Sequence, residues 1–416
     1  HSLMFYNNFL PLNIGFDDLY FIFLFLVVLF GRNILGGVRF RFNYAFWTVT
    51  FFTLIAVVAI YAGSRDAVPS ERINYVKDML KICVYWCLFY AIIHCIDDKR
   101  DLKIQLTMFS LAAVLGAFIV IGQYFFPYTF QTFLAPVAIQ KGGLSYGVRA
   151  SGAFMNPNSA ACVLAGSLAL LATLVRMQSK FLSKLVVYSL VFVLLAALLM
   201  TQSRSGLLAL AAALGLMAFL GKSKKVSCFL IIAGLIVGIS FPQIRYSFQR
   251  RLAALYDSAT GLYYANVEGR FHTWKSYFET ATFKDYLLGQ GARQGSEKNG
   301  VESHSAYVSL ITVYGISGFF WAIIALFLFL RRAFYLRKSF DPLIRVVASG
   351  CIWALFVWGI YGATADAISS QYPRYLLFFL VVLLDRSYYS EKQAQELMVY
   401  EEQEDFELSE NTVQGC

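Results

Sequence analysis

Long apolar runs recur along almost the whole chain and are separated by short polar segments. Eleven runs have lengths near the ~20 residues that a helix needs to cross ~30 Å of hydrocarbon. The runs are continuous rather than alternating, which predicts helices and excludes a membrane β-barrel. The run at 305–330 contains Gly315 and Gly318, so we expect a kinked helix there. The eleven runs lie near 16–31, 43–62, 79–96, 103–126, 158–175, 182–200, 206–221, 226–241, 305–330, 343–364 and 373–385.

Composition agrees with this pattern, because the chain is 58% hydrophobic and only 14% charged. A soluble domain carries about 25% charged residues. We therefore predict an all-α, polytopic integral membrane protein with about 11–12 transmembrane helices and a small helical cap. The predicted parts are N-terminal transmembrane helices at 1–241, a cap loop at 242–304, C-terminal transmembrane helices at 305–386 and an acidic tail at 387–416.

The acidic tail has the composition of a solvated segment. From Tyr388 onward it carries eight acidic residues and one lysine. Such a charged stretch buries little apolar surface, so we expect it to be disordered in the cytoplasm.

Lysine and arginine mark every second connection between the apolar runs. Positive residues in short loops favour the cytoplasmic side, so these connections predict the orientation of the helices. The positive connections lie at 31–42, 97–103, 176–184, 222–225 and 331–345, and the outward ones at 63–78, 127–157, 201–205, 242–304 and 365–372.

Three arginines nevertheless lie in outward segments, namely Arg149, Arg204 and Arg270. Translocated loops usually avoid arginine. Because guanidinium groups bind phosphate through two parallel hydrogen bonds, these residues predict a site for an anionic group such as a diphosphate. Snorkelling to lipid headgroups is the alternative for Arg204, and Arg270 has a second alternative role in ordering the cap.

Two outward helix starts add further candidates. Asn156 is a suitable N-cap and Pro157 suits the first turn, so free N–H groups are expected beside Arg149. Ser303 is expected to cap another helix with His304 in its first turn, where the helix dipole favours neutral imidazole and a general-base role. A structural histidine is the alternative. Asn158 and Tyr307 are candidate supporting residues.

The sequence lacks the motifs of several other chemistries. It has no Walker-type loop for ATP and no Cys/His spacing for zinc. Asp17 and Asp18 form an acidic pair at a helix end, where solvation is a better explanation than a bound divalent ion. We therefore predict no metal and no cofactor, and no nucleic-acid partner.

Several short motifs follow one another in the outward segments and the helices that adjoin them. They are Arg149…Phe154…Asn156-Pro157-Asn158, Ser203-Arg204-Ser205-Gly206, Gly269-Arg270…Trp274, Gly289-Gln290-Gly291, His304 and Gly315-Ile316-Ser317-Gly318. Their order resembles that of the bacterial O-antigen ligase and polymerase superfamily. The resemblance covers about residues 145–330. This chain departs from it at Ser305, where many relatives have Asn, and in its eleven runs where about twelve are typical.

The resemblance implies a glycan transferase in the bacterial inner membrane with its active site facing the periplasm. The donor would be an O-antigen glycan on undecaprenyl diphosphate, and in the ligase branch the acceptor is lipid A–core. The implied mechanism is metal-independent and inverting, with His304 as the base and Arg149, Arg204 and Arg270 on the diphosphate.

Alternatives within the superfamily are an O-antigen polymerase and a protein O-oligosaccharyltransferase. The modest cap favours the ligase. A membrane transporter is the alternative from another class, but it predicts midplane charges and inverted repeats, which this sequence does not display.

Overall fold

Helices account for nearly all of the secondary structure in the computed structural model of the protein. A two-residue antiparallel pair joins Gln140–Lys141 to Val148–Arg149, with Gln140 opposite Arg149. The structure describes residues 16–36, 43–65, 69–95, 99–127, 129, 140–141, 148–154, 156–175, 181–220, 231–232, 234, 274–279, 281–291, 305–365, 367 and 371–414.

The helices follow the apolar runs of the sequence. They are α1 (Phe16–Leu26, continued as a π-helix over Val27–Ile34), α2 (Tyr44–Arg65), α3 (Pro69–Cys95), α4 (Lys99–Phe125), α5 (Pro157–Leu174), α6 (Phe181–Met200), α7 (Arg204–Leu220), α8 (Phe283–Leu288), α9 (Ala306–Leu336), α10 (Pro342–Thr364) and α11 (Gln371–Gln414). A 3₁₀ turn at Gly152–Phe154 precedes α5.

Six of these helices, α2, α4, α5, α6, α9 and α10, are long and apolar enough to cross a membrane. The predicted class, an all-α polytopic membrane protein, is thereby confirmed. Helices cover each predicted run except 226–241, most of which lies outside the described residues.

Helix α5 lies at the centre of the bundle, with 89% of its apolar window buried against protein. Its sequence is rich in alanine and other small residues, which let neighbouring helices approach closely. On α10, a Cβ atom at Gly350 would lie 2.5 Å from Leu170 Cδ1. The α5–α10 contact therefore depends on small side chains rather than on interdigitating large ones.

Helix α9 carries the predicted kink. Gly315 has φ 72° and ψ 178° inside the helix, which is left-handed backbone that favours glycine. Gly289, just after α8, has φ 80°, and a Cβ on it would lie 2.6 Å from the Gly315 amide nitrogen. Since the Gln290 N–H also donates to the Thr312 carbonyl at 2.9 Å, the cap segment is anchored in the kink of α9.

The tail differs from expectation. Helix α11 runs for 44 residues to Gln414, whereas a disordered tail is predicted beyond residue 386. Glu, Gln, Leu and Met are good helix formers, and neither Gly nor Pro occurs between Arg374 and Gly415. Low hydrophobicity was therefore the wrong criterion for helix formation here.

A buried polar cluster closes the end of the bundle predicted to face the cytoplasm. Asp385 is only 2% exposed and accepts from Arg332 Nη1 at 2.9 Å. Asn43 Nδ2 donates to the other carboxylate oxygen at 2.5 Å. At the same end, Lys99 Nζ lies 2.7 Å from Asp341 Oδ2. We call Asn43, Arg332 and Asp385 the Asp385 cluster.

Candidate functional site

Arg149 lies at the opposite end of the bundle, on the second strand of the short pair. Its side chain is half-buried, and Nη2 donates to Asn158 Oδ1 at 2.9 Å. Nε donates to the Thr201 carbonyl at 3.4 Å. The next residue, Ala150, donates its N–H to the Met200 carbonyl at 3.3 Å. The guanidinium therefore bridges the start of α5 and the end of α6.

Asn158 connects this arginine to α7. Asn156 caps α5 and Pro157 occupies its first turn, which confirms the predicted helix start. Asn158 Oδ1 accepts from Arg149 and also from Ser203 Oγ, at 2.9 Å in each case. One amide oxygen thus fixes two side chains that are 54 positions apart, and both of its donors come from predicted outward segments.

Arg204 begins α7 immediately after the turn that contains Thr201 and Ser203. Its side chain is exposed. Two residues on, Gly206 packs directly against Ala161 of α5, leaving no room for a Cβ atom. This close approach of α7 to α5 brings Arg204 to the same end of the bundle as Arg149.

The two arginines influence each other electrostatically. Burial lowers the pKa of the Arg149 guanidinium below its ordinary value, and the nearby Arg204 cation lowers it further. Tyr361 of α10 acts in the opposite direction. Because arginine side chains are cations in proteins, the pair attracts an anion, and the anion's charge reduces the repulsion between the two guanidinium groups.

Tyr307 of α9 contacts α10 on the side of that helix away from Arg149. Its hydroxyl donates to the Gly359 carbonyl at 2.9 Å and ties α9 to α10. Tyr361 lies two residues further along α10 and interacts with Arg149. The structure therefore places Tyr307 at the same end as the arginines, with α10 in between.

Arg270 and His304 lie outside the described residues, so their approach to Arg149 remains a prediction. The start of α9 corrects one step of the sequence argument. The helix begins at Ala306 with Ser305 as its N-cap, whereas the sequence argument places Ser303 there. The Ala306 N–H donates to the Ala365 carbonyl at 3.2 Å, so this helix start is tied to the end of α10. The role of His304 itself stays a prediction.

The acidic pair near the start of α1 also differs from expectation. Asp18 is only 2% exposed, and its carboxylate lies 3.9 Å from Lys81 Nζ. It is therefore a buried ion-pair member and not a solvated helix-end residue. Among the residues that the structure describes, no group of three His, Cys, Asp or Glu side chains has a metal-binding arrangement.

Comparison with known families bears on the segment that contains Arg204 and the cap. Residues 189–323 match the family model described as O-antigen ligase. This match supports the O-antigen ligase superfamily. Its members are glycosyltransferase-like enzymes, ligases or polymerases, and their substrates are lipid-linked glycans. No curated protein matches the chain.

The O-antigen ligase match begins within α6 and ends within α9, so Arg149 and Asn158 precede it in sequence. Their hydrogen bonds to Thr201 and Ser203 nevertheless attach them to the matched segment. The candidate site therefore combines residues from inside and outside the matched segment.

The cap residues of the matched segment contact α9 of the bundle at Thr312. Tyr277 is 7% exposed, and burial raises the pKa of its hydroxyl to about 12, although the influence of Thr312 lowers it. Thr312 also accepts from Gln290 through its carbonyl. Both contacts fall in the turn of α9 before the Gly315 kink, which fixes the cap next to the helix that follows His304.

Sequence reasoning missed Gln123 and the role of Ser203 as a partner of Asn158. Gln123 is completely buried in the last turn of α4, and its Oε1 accepts from the backbone N–H groups of Ser151 and Gly152. The signal for Gln123 that the sequence does contain is a polar amide inside the apolar run 103–126.

An apolar cleft opens beside Tyr307 between α2, α3, α9, α10 and α11. Part of its wall lies in the segment that matches the O-antigen ligase family model, through Tyr314 and Trp321. Arg374 lies near the start of α11 and contributes a positive charge to the lining. The aromatic side chains of the wall include Phe52, Trp86, Tyr314, Trp321, Trp358 and Phe378.

Proposed function

We propose that the protein is an O-antigen ligase of the bacterial inner membrane. It transfers a glycan from undecaprenyl diphosphate to a hydroxyl group of lipid A–core at the periplasmic face. The observation that carries the proposal is the half-buried Arg149, which is hydrogen-bonded to neutral oxygens and lies beside a second cation, Arg204.

The leaving group explains the need for these cations. When the glycosidic bond breaks, the diphosphate oxygen keeps the electron pair and gains negative charge. Arg149 and Arg204 meet that charge, and Arg270 is the third proposed contact. A preorganised donor aimed at such a developing charge contributes about 10²–10³ in rate.

The other half of the reaction is proton removal from the acceptor. The acceptor hydroxyl oxygen attacks the anomeric carbon on the face opposite the diphosphate, which inverts its configuration. His304 takes the hydroxyl proton. Neutral imidazole is the form that a general base needs.

The apolar cleft supports a lipid-linked donor. Its lining includes Tyr307, which is three residues after His304 in the sequence, and it is rich in aromatic side chains. A long methyl-branched polyprenyl chain fits such walls, because it gains dispersion and apolar burial along its length. We infer that the chain lies in the cleft while the diphosphate faces the arginines.

Reconstitution tests the proposal. Purified protein in liposomes receives an undecaprenyl-diphosphate-linked glycan and lipid A–core, and products are separated by gel and mass spectrometry. Glycan on the core is the expected result, together with its loss in folded His304→Ala.

The other outcomes identify the alternatives. Longer lipid-linked chains identify a polymerase, and glycan on an acceptor protein identifies an oligosaccharyltransferase. Movement of the donor across the bilayer without any product identifies a transporter. Each of these results overturns the ligase assignment.

A narrowed cleft tests where the lipid chain lies. Ala325→Phe places a large side chain in the lining. We expect a higher KM for the undecaprenyl donor and an unchanged KM for a donor on a short, soluble prenyl chain. Leu115→Phe, on the exposed face of α4, is the control. Equal KM changes for both donors overturn this location.

A further inference from the structure

Gln123 holds the loop that carries Arg149. We call residues 149–154 the Arg149 loop. Gln123 Oε1 accepts from the Ser151 N–H at 2.8 Å and from the Gly152 N–H at 2.7 Å. Since both groups are backbone donors, they determine which end of the side-chain amide is the oxygen. A single buried atom thus supports two successive peptide groups of the loop.

The apolar side of α4 reinforces this attachment. Gly152 has φ +55°, and a Cβ on it would lie 2.6 Å from Val120 Cγ2. One turn earlier, a Cβ on Gly116 would lie 2.9 Å from the Phe154 ring. The loop therefore lies against three successive turns of α4, at positions 116, 120 and 123.

The opposite side of the loop is bound to α6, through the hydrogen bond from Ala150 N–H to the Met200 carbonyl. Arg149 itself then reaches Asn158 and Thr201. Because the Arg149 loop is held on both sides, its position along the axis of α4 determines where the Arg149 guanidinium lies relative to Arg204. Gln123 makes the polar contact on the α4 side.

We propose that Gln123 is a positioning residue for the donor diphosphate, acting through the Arg149 loop. The identity of the ligand rests on the proposed function. Leucine would be the less costly residue in an apolar helix, and an intramembrane polar group usually has a functional reason. Replacing the acceptor leaves two buried N–H groups unsatisfied, so the loop must shift toward water.

The test measures binding of undecaprenyl diphosphate alone to purified protein in detergent micelles, with neutral undecaprenol as the reference ligand. Gln123→Leu is expected to weaken diphosphate binding about tenfold and to leave undecaprenol binding unchanged. Gln123→Glu keeps an oxygen acceptor in either protonation state and should stay within about threefold of wild type.

Two further variants separate positioning from general stability. Ser110 lies on the same helix, and its hydroxyl donates to the Leu106 carbonyl instead of contacting the loop. Ser110→Ala should therefore bind undecaprenyl diphosphate as tightly as wild type. In an Arg149→Ala background, Gln123→Leu should cause no additional loss, because its effect passes through Arg149. Size-exclusion profiles and melting temperatures verify folding of every variant.

The outcomes are distinct. Equal weakening by Gln123→Glu and Gln123→Leu, or an undiminished effect of Gln123→Leu without Arg149, overturns the positioning role. Diphosphate binding by wild type without any glycan transfer overturns the proposed function and leaves the Gln123 inference standing. Failure of wild type to prefer the diphosphate over undecaprenol overturns both.

Discussion

The two ends of the helix bundle hold their arginines with different hydrogen-bond partners, a carboxylate at one end and an amide oxygen at the other. Arg332 donates to the carboxylate of Asp385 at 2.9 Å, whereas Arg149 donates to the amide oxygen of Asn158 at the same distance. The two donor–acceptor distances are equal, but the Asp385 carboxylate neutralises the charge of Arg332, whereas the Asn158 amide leaves the charge of Arg149 in place. A cation held by neutral dipoles is fixed in place and still able to bind an anion.

The surroundings increase the difference. The Arg332 guanidinium lies 4.4 Å from the Tyr44 ring centroid and 4.6 Å from that of Tyr388, so its faces are covered as well as its edge. Arg149 instead has the cation Arg204 as its neighbour. This contrast fits a stabilising contact at one end and the diphosphate-binding role that we propose at the other.

The largest expected effect on folding follows from making the Asp385 cluster resemble the Arg149 site. Asp385→Asn leaves Arg332 without its carboxylate. Removing one partner of a buried pair costs about 3–5 kcal/mol. We expect about 3 kcal/mol of unfolding free energy, since the Arg332 side chain is 25% exposed. Denaturant unfolding in mixed micelles, followed by circular dichroism, measures it.

The control for this experiment is Asp385→Asn combined with Arg332→Gln, which removes the unpaired charge and should recover part of the loss. Transfer activity per folded molecule should remain unchanged. An unfolding curve for Asp385→Asn that coincides with wild type contradicts the structural role of the cluster.

Arg149→Ala is expected to show the reverse behaviour, with a large loss of transfer and a small loss of stability. Removing one preorganised donor lowers turnover about 10²–10³-fold, or about 2.7–4 kcal/mol. Stability should change by only about 1 kcal/mol, because the lost hydrogen bonds are offset by relief of repulsion from Arg204. Initial rates and unfolding curves on the same samples separate the two effects.

Arg149→Lys is the matched variant. It keeps the charge but loses the planar fork, so its activity should lie between those of Arg149→Ala and wild type. Full activity in Arg149→Ala would show that the outer cations are not part of the reaction.

Local chemistry explains which features the sequence predicts. Asn156 and Pro157 mark the start of α5, and Gly315 marks the kink of α9, because each depends on backbone preferences of a few adjacent residues. The closeness of Arg149 to Asn158 follows from the same short segment. These features needed no knowledge of the helix packing.

Tertiary contacts explain what the sequence does not reveal. The bond from Ser203 to Asn158 requires α7 to pack on α5 through Gly206. The Ala306 N–H at the start of α9 donates to the Ala365 carbonyl, and the buried Asp18 pairs with Lys81 of α3. Each of these joins segments that are far apart in sequence, so no local pattern indicates them.

An intermediate effect is expected when the Arg149 site is made to resemble the Asp385 cluster. Asn158→Asp places a carboxylate on Arg149 and converts the contact to a salt bridge. The donor diphosphate then loses a cation and meets a like charge, so its KM should rise about 10–100-fold, or about 1.4–2.7 kcal/mol. Folding stability should not fall.

Asn158→Ala is the comparison, because it removes the amide oxygen without adding charge. It should raise the donor KM less than Asn158→Asp does. If the aspartate variant binds the donor as tightly as wild type, neutralisation of Arg149 is irrelevant and the contrast between the two ends does not determine function.

The smallest effect is expected for the other ion pair at the Asp385 end. Lys99→Ala should lower unfolding free energy by less than about 1 kcal/mol, because the Lys99 side chain is 48% exposed and water screens the pair. Asp341 also keeps other partners, since its Oδ1 accepts from the N–H groups of Leu343 and Ile344 at the start of α10. Its carboxylate therefore remains satisfied, unlike Arg332 in Asp385→Asn. The same unfolding assay compares them, and a Lys99→Ala loss as large as that of Asp385→Asn would show that burial and remaining partners do not set the value of these charges.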